Sequence, residues 1–313
     1  ISSSSSSPAR KRVKSIHHEV VDLTEPTSGE WSCSKCTLLN SEMMVKCQLC
    51  DMARSEPAHT PPVQRIVVSV ESARDLYVSG IMPLLERRSP RTSTKAVILS
   101  SPPPHHFTQL FQEGKYWSCG YRNIQILCSS CMQIEEINRV ICGGNGEIPS
   151  IPSIQRYLEL AWQQGFDEEG GRHFEFQLVG KKKWIGATEC VVFFRYFGLE
   201  TQVFDFLPDN LTASKALQII NVRKKVERFL NDYYSDGKIE RLPLYFQQSG
   251  HSRTIIGTEK LMNGSGTLAV QNMLIFDPAT DGRTIKSSLQ DETTLRWRSS
   301  LCRSLDTLKD VKY

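Results

Sequence analysis

The period of the apolar residues changes once along this chain, near residue 240, and that change limits the folds open to it. Upstream, helices are expected over 73–86, 154–164, 187–196 and 214–234, the second and third with apolar residues at helical spacing. Ala96 to Leu99 is a strand candidate among them. Downstream, Leu244 to Gln247, Thr254 to Gly257 and Leu268 to Phe276 read as strands, with Asn263 to Gly266 as the turn between the last two. Helices followed by strands indicate an α+β domain, although the pattern alone does not fix which one.

The domain does not need the whole chain. Of the 313 residues, 39% are hydrophobic and 23% charged, which suits one sizeable domain with appendages or two ordinary ones. Residues 1–29 are rich in Ser, Pro and charge and are expected to be a disordered tail. Within it Arg10, Lys11, Arg12 and Lys14 read as a nuclear import signal rather than a DNA contact or a merely solvated cluster. The strip Val20 to Thr24, flanked by Glu19 and Glu25, resembles a SUMO-interacting motif, which binds by adding a strand to a sheet edge; an incidental apolar spot is the bland alternative. A cysteine cluster covers 30–52, a proline-bearing linker 53–65, and continuously globular sequence 66–313.

A net charge of +4 is too small to imply a nucleic-acid surface, so no direct nucleic-acid binding is expected. No apolar run approaches the roughly 18 to 20 residues of a membrane span, and no leader opens the sequence. The expectation is a soluble protein of nucleus and cytoplasm with no membrane partner. Ten cysteines suggest a disulfide framework at first, but their spacing fits zinc, a reactive thiol and apolar patterns in a reducing compartment better. The chain starts at Ile1 and stops at Tyr313 after a helical pattern, so it reads as a fragment lacking sequence at both ends, including a closing strand.

Cys33, Cys36, Cys47 and Cys50 form two CxxC knuckles with ten residues between them. That spacing suits a closed tetrahedral thiolate site, where structural zinc supplies folding energy that so short a segment cannot gain by burial. With Trp31 ahead and Asn40 between, the module resembles the NZF zinc finger. Ubiquitin-binding members of that family use a Thr-Phe pair and an apolar residue between the last two cysteines, which match Thr37, Leu38 and Leu49 here. The resemblance implies ubiquitin binding, with a purely structural finger and RNA binding as the alternatives.

Cys119 opens a helical pattern in WSCGYRN, where the helix terminus and an imidazolium would lower a thiol pKa. Ile124, Leu127, Cys128 and Cys131 then form one apolar stripe, so Cys128 and Cys131 read as core; a second metal site with Cys142 is the rival reading. His251 stands between Gly250 and predicted strand, whereas His17, His18, His59, His105 and His106 lie in polar or Pro-rich segments and His173 is the other globular candidate. Asp277 ends the apolar run MLIF before Pro278, where a carboxylate at a strand end can hold an imidazole tautomer; a turn-forming Asp-Pro is the alternative. Thiol, imidazole and carboxylate in that order suggest a cysteine peptidase, for which no catalytic cofactor is expected.

WSCGYRNIQILCSS, WIGATE and GHSRTIIG with FDP resemble, in order, the papain-like peptidase family that includes the UFM-one-specific proteases and the zinc-finger ubiquitin (ZUFSP) peptidases. The resemblance runs from about Ile81 to Tyr313 and implies an α+β papain-like fold. It makes Cys119 the nucleophile, His251 the base and then acid, Asp277 its orienter and Gln247 an oxyanion donor, with Trp184 and Glu189 as candidates for shaping the substrate channel; Trp184 filling core is the alternative. The UFM-one proteases join Asp and His in one Asp-Pro-His motif, whereas Asp277 follows His251 by 26 positions (277 − 251), so the ZUFSP branch fits better. That branch cleaves ubiquitin chains, preferentially lysine-sixty-three linkages, and acts in nuclear genome maintenance. Ser118 departs from the Gly usual before the nucleophile, and its Cβ could crowd the path of a Gly-Gly tail. The remaining alternatives are a UFM-one- or SUMO-directed protease and an inactive reader of ubiquitin and SUMO.

Overall fold

The structure is a computed structural model, and it describes residues 30–32, 39–41, 77–110, 117–144, 146–235, 241–248 and 250–308. The tail, the linker and residues 66–76 lie outside these. Strands β1 (Glu30–Ser32) and β2 (Leu39–Ser41) pair antiparallel with Trp31 opposite Asn40. The helix expected over 73–86 is instead a short strand, β3 (Tyr77–Val78), followed by α1 (Ile81–Arg88). Gly80, at φ +77°, has a left-handed backbone that no helix can continue through.

Next come β4 (Lys95–Leu99), β5 (His106–Phe107), α2 (Cys119–Cys131), α3 (Glu135–Val140), α4 (Ile151–Gln163), α5 (Glu168–His173), α6 (Ala187–Tyr196) and α7 (Lys215–Tyr233). The strand-rich part holds β6 (Leu244–Gln248), β7 (His251–Met262) and β8 (Leu268–Phe276), then α8 (Gly282–Gln290), α9 (Arg296–Leu301) and β9 (Cys302–Ser304). Strand β7 is central in a five-stranded antiparallel sheet. One of its sides pairs with β8; the other pairs with β6 over residues 251–255 and with β4 over 257–261, so β6 and β4 lie end to end.

Alternation along these strands divides the interior into two layers. Ile256, Leu274 and Phe276 face α2, α4 and α6, while Ile255, Met273 and Ile275 face Val226 and Leu230 of α7. Helix α2, which begins at Cys119, is buried nearly all round rather than along one stripe, and Leu127 is its one half-buried member. A buried helix packed on an antiparallel sheet gives the α+β papain-like architecture. No described helix is long and apolar enough to cross a membrane.

One charged group is buried in the sheet. Glu259 of β7 accepts from both Arg298 guanidinium nitrogens at 2.8 and 2.7 Å, from Lys95 Nζ at 2.8 Å and from Asn272 Nδ2 at 2.6 Å, joining β4, β7, β8 and α9. Burial opposes its ionisation, but these four bonds pull its pKa down to about 2. The stabilisation is therefore present above the ordinary carboxyl range and lost as pH falls towards 2. Glu259→Gln should cost about 3 kcal/mol in denaturant unfolding at pH 7, because Lys95 and Arg298 lose their buried partner. The gap from the native chain should close as the titration is repeated towards pH 2.

Candidate active site

The fold brings Cys119, His251, Asp277 and Gln247 to one cleft. Cys119 is the first residue of α2, so its sulfur stands at the positive end of the helix dipole. Gly120 follows because a Cβ there would lie 2.5 Å from the Ile185 carbonyl oxygen, and its absence lets the 184–186 segment close against the helix. His251 opens β7 beside Gly250, whose φ of +77° suits glycine in the tight β6–β7 turn. Asp277 follows the last residue of β8, the strand paired with β7.

The His251 Nε2 meets Asp277 Oδ1 at 2.9 Å, leaving Nδ1 for the Cys119 thiol, with which the ring is hydrogen-bonded. Arg253 Nε donates to Asp277 Oδ2 at 2.8 Å, and the Ala279 backbone N–H donates to Oδ1 at 3.0 Å. Burial alone would raise the Cys119 thiol, but hydrogen bonds with His251 and with the Ser252 side chain and backbone bring it below the ordinary cysteine value. The bond to Asp277, and then that to Cys119, raise His251 to about 9. Asp277, against its burial, is held far below the usual carboxylate range by His251, the Ala279 N–H and Arg253. Thiolate and imidazolium therefore coexist between the lowered thiol value and about 9.

Gln247 sits opposite Ser252 in the β6–β7 ladder. Its Oε1 accepts from the Ala187 backbone N–H at 2.9 Å, which directs Nε2 to be the free donor end. Cys119, Trp184, Gly186, Gln247, Gly250 and Ser252 line a cleft of about 280 Å³. Trp184 is 57% exposed at this cleft, so it does not fill core. Glu189 is buried and its Oε2 accepts from the Gly186 N–H at 2.6 Å, capping α6 and fixing the turn below Trp184. Ser118 is wholly buried and is not among the residues lining the cleft, so its Cβ stands away from the path where crowding was a concern.

Cys128, Cys131 and Cys142 are buried, as is Cys190. Burial pushes the Cys128 thiol up and Cys142 up to about 12, the setting of neutral packing thiols. Among the described residues no cluster of three or more His, Cys, Asp and Glu has metal-holding geometry. Cys33, Cys36, Cys47 and Cys50 and the trio Thr37, Leu38 and Leu49 lie outside the described residues, as do Val20 to Thr24 and the basic cluster.

Sequence reasoning missed several contributors. Arg253 was legible in principle, because the period of two sets residues 251 and 253 on the same face. Asn123, one helical turn beyond Cys119, joins α2 to β7. His106, passed over in its Pro-rich setting, is fully buried with Nε2 3.2 Å from the Asp277 carbonyl oxygen. Burial lowers it to about 4, so the ring is neutral and Nε2 carries the proton that this carbonyl accepts.

Residues 93–313 match Peptidase family C78. The chain belongs to that family. Among its relatives, the human "Zinc finger-containing ubiquitin peptidase 1" is 33% identical over 245 residues, 75% of this chain and 40% of that protein. The mouse protein of the same name is 29% identical over 261 residues, 80% of this chain and 42% of that one. "Ubiquitin carboxyl-terminal hydrolase mug105" of Schizosaccharomyces pombe is 37% identical over 145 residues, 45% of this chain and 54% of that protein. The chain thus spans about 40% of the length of the human relative.

Proposed function

We propose that this chain is a thiol-dependent deubiquitinase, hydrolysing the isopeptide bond after the C-terminal Gly-Gly of ubiquitin in polyubiquitin chains, with lysine-sixty-three linkage the preferred reading. The observation that carries it is the His251–Asp277 pair at 2.9 Å beside Cys119, which stands at a helix N-terminus and lines an open cleft. The names of its relatives support ubiquitin as the modifier.

In this reading the flexible tail of ubiquitin lies along Trp184, Gly186 and Gly250, where small residues admit a Gly-Gly backbone. The Cys119 thiolate adds to the carbonyl, and the oxyanion is received by Gln247 Nε2 and the Cys119 N–H, one of the amides that an α-helix start leaves without an internal partner. Collapse expels the lysine amine, protonated from His251 Nδ1, and leaves a thioester. Neutral His251 then takes a proton from water, whose oxygen attacks the thioester and releases the free carboxylate and the thiol. Asp277 keeps Nε2 protonated and balances the imidazolium throughout.

The strands β1 and β2 bracket the first cysteine pair, a placement that fits an antiparallel knuckle, and four thiols suit tetrahedral zinc. We assign Cys33, Cys36, Cys47 and Cys50 to a structural zinc ion and Thr37, Leu38 and Leu49 to a second ubiquitin contact. Val20 to Thr24 is the SUMO contact, and the basic cluster the nuclear signal. The test is incubation with ubiquitin, UFM-one and SUMO carrying a C-terminal electrophile, followed by peptide mass mapping. An adduct on Cys119 with ubiquitin alone is expected. Labelling by another modifier only would move the substrate assignment, and no adduct on folded chain would overturn the peptidase reading.

A further inference from the structure

A buried polar seam joins α2 to β7 beside the sulfur. Asn123, fully buried, donates from Nδ2 to the Cys119 carbonyl oxygen at 2.8 Å and to Ser252 Oγ at 3.1 Å, while its Oδ1 accepts from Thr254 Oγ1 at 2.7 Å. Ser252 and Thr254 share the face of β7 opposite to that of His251 and Arg253, whose side chains reach Asp277. The orientation of the Asn123 amide is not free. A carbonyl oxygen can only accept, so the end facing Cys119 must be Nδ2, and Ser252 Oγ must accept from the same group. The hydroxyl proton of Ser252 is then left for another acceptor, and Cys119, whose carbonyl holds the same Asn123 amide, lines the same cleft as Ser252.

We propose that Ser252 is a further catalytic residue, whose hydroxyl donates a hydrogen bond to the Cys119 thiolate, and that Asn123 is the positioning residue that turns this hydroxyl towards the sulfur. No proton is transferred: Ser252 remains protonated while the thiolate forms by giving its proton to His251. This deepens the assignment of Cys119 as nucleophile and rests on it, but it does not depend on which modifier is cleaved.

The experiment uses the whole chain and iodoacetamide, which alkylates the thiolate without any substrate recognition. Alkylation rate at Cys119 is followed against pH for the native chain, Ser252→Ala, and the near-isosteric pair Ser252→Thr and Ser252→Val, with thermal melts as the check of folding. His251, Tyr245, Glu189 and His173 surround the sulfur or line its cleft in every variant, so the comparison isolates the hydroxyl. Loss of one charge-assisted hydrogen bond should slow alkylation about tenfold on the acid limb, moving that limb up by about one pH unit in Ser252→Ala and Ser252→Val, with Ser252→Thr close to native. Superimposable profiles for Thr and Val would overturn the proposal, and would do so whatever the ubiquitin electrophile does. If Ser252→Ala does not fold, the Thr and Val pair decides alone.

Discussion

Replacing Asp277 with Asn should lower kcat by about 10³- to 10⁴-fold while the chain stays folded. The geometry explains why so small a change should matter. Asp277 Oδ1 accepts from His251 and from the Ala279 N–H, and Oδ2 accepts from Arg253, so both oxygens are committed. An amide can keep Oδ1 in place, but its NH2 would then face the Arg253 guanidinium, donor against donor. Turning the amide over satisfies Arg253 and presents NH2 to His251, which forces the ring into the tautomer that cannot take the thiol proton. Either arrangement removes the negative charge that holds His251 up at about 9. The pH profile carries a second signature. The native chain should show a bell whose alkaline limb lies near 9, where His251 loses its proton; the variant's limb should move down towards the ordinary histidine range or below it, since Arg253 remains close. Steady-state rates on a fluorogenic C-terminal amide of ubiquitin between pH 5 and 10 would measure both effects. A loss smaller than tenfold, or an alkaline limb that stays put, would show that Asp277 does not orient the imidazole.

Much of this site was legible because its residues lie where local pattern and chemistry agree. Helix α6 has the bounds that its apolar spacing implies, Ala187 to Tyr196, and β8 those of its apolar run, Leu268 to Phe276. Where tertiary contacts outweigh local pattern, the sequence misleads. Strand β7 reads as Thr254 to Gly257 from the sequence, yet it extends to Met262, where Arg298, Lys95 and Asn272 converge on Glu259 from three other elements. His106 looked like part of a polar turn for a similar reason. Its burial comes from the contacts of β5 with β3 and of Gln109 N–H with the Pro278 carbonyl oxygen at 2.8 Å, all distant in sequence. The short helices α3 and α5 offer too few residues for periodicity to register. In each case the deciding partner lies far along the chain, which a single-sequence pattern cannot display.

Gln247→Ala should reduce kcat by about 10²- to 10³-fold with a much smaller change in KM. The side chain is exposed in the cleft and is held at one end only, by the Ala187 N–H on Oε1. That single bond does two things. It fixes the otherwise ambiguous amide so that Nε2 is the donor, and it ties the donor to the first residue of α6, whose N-terminal turn is itself capped by Glu189. The donor is thereby positioned before substrate arrives, which is the condition under which a hydrogen bond favours a developing oxyanion over a neutral carbonyl. Gln247→Glu separates this role from mere packing, because it keeps the shape but can accept from Ala187 only by presenting a second carboxylate oxygen to the oxyanion. The glutamate variant should therefore be at least as impaired as the alanine variant, while thiol alkylation of Cys119 by iodoacetamide, which forms no oxyanion, should remain within a few-fold of native for Gln247→Ala. Equal activity of Gln247→Glu and the native chain would remove Gln247 from the oxyanion site and leave the Cys119 N–H to serve it without that partner.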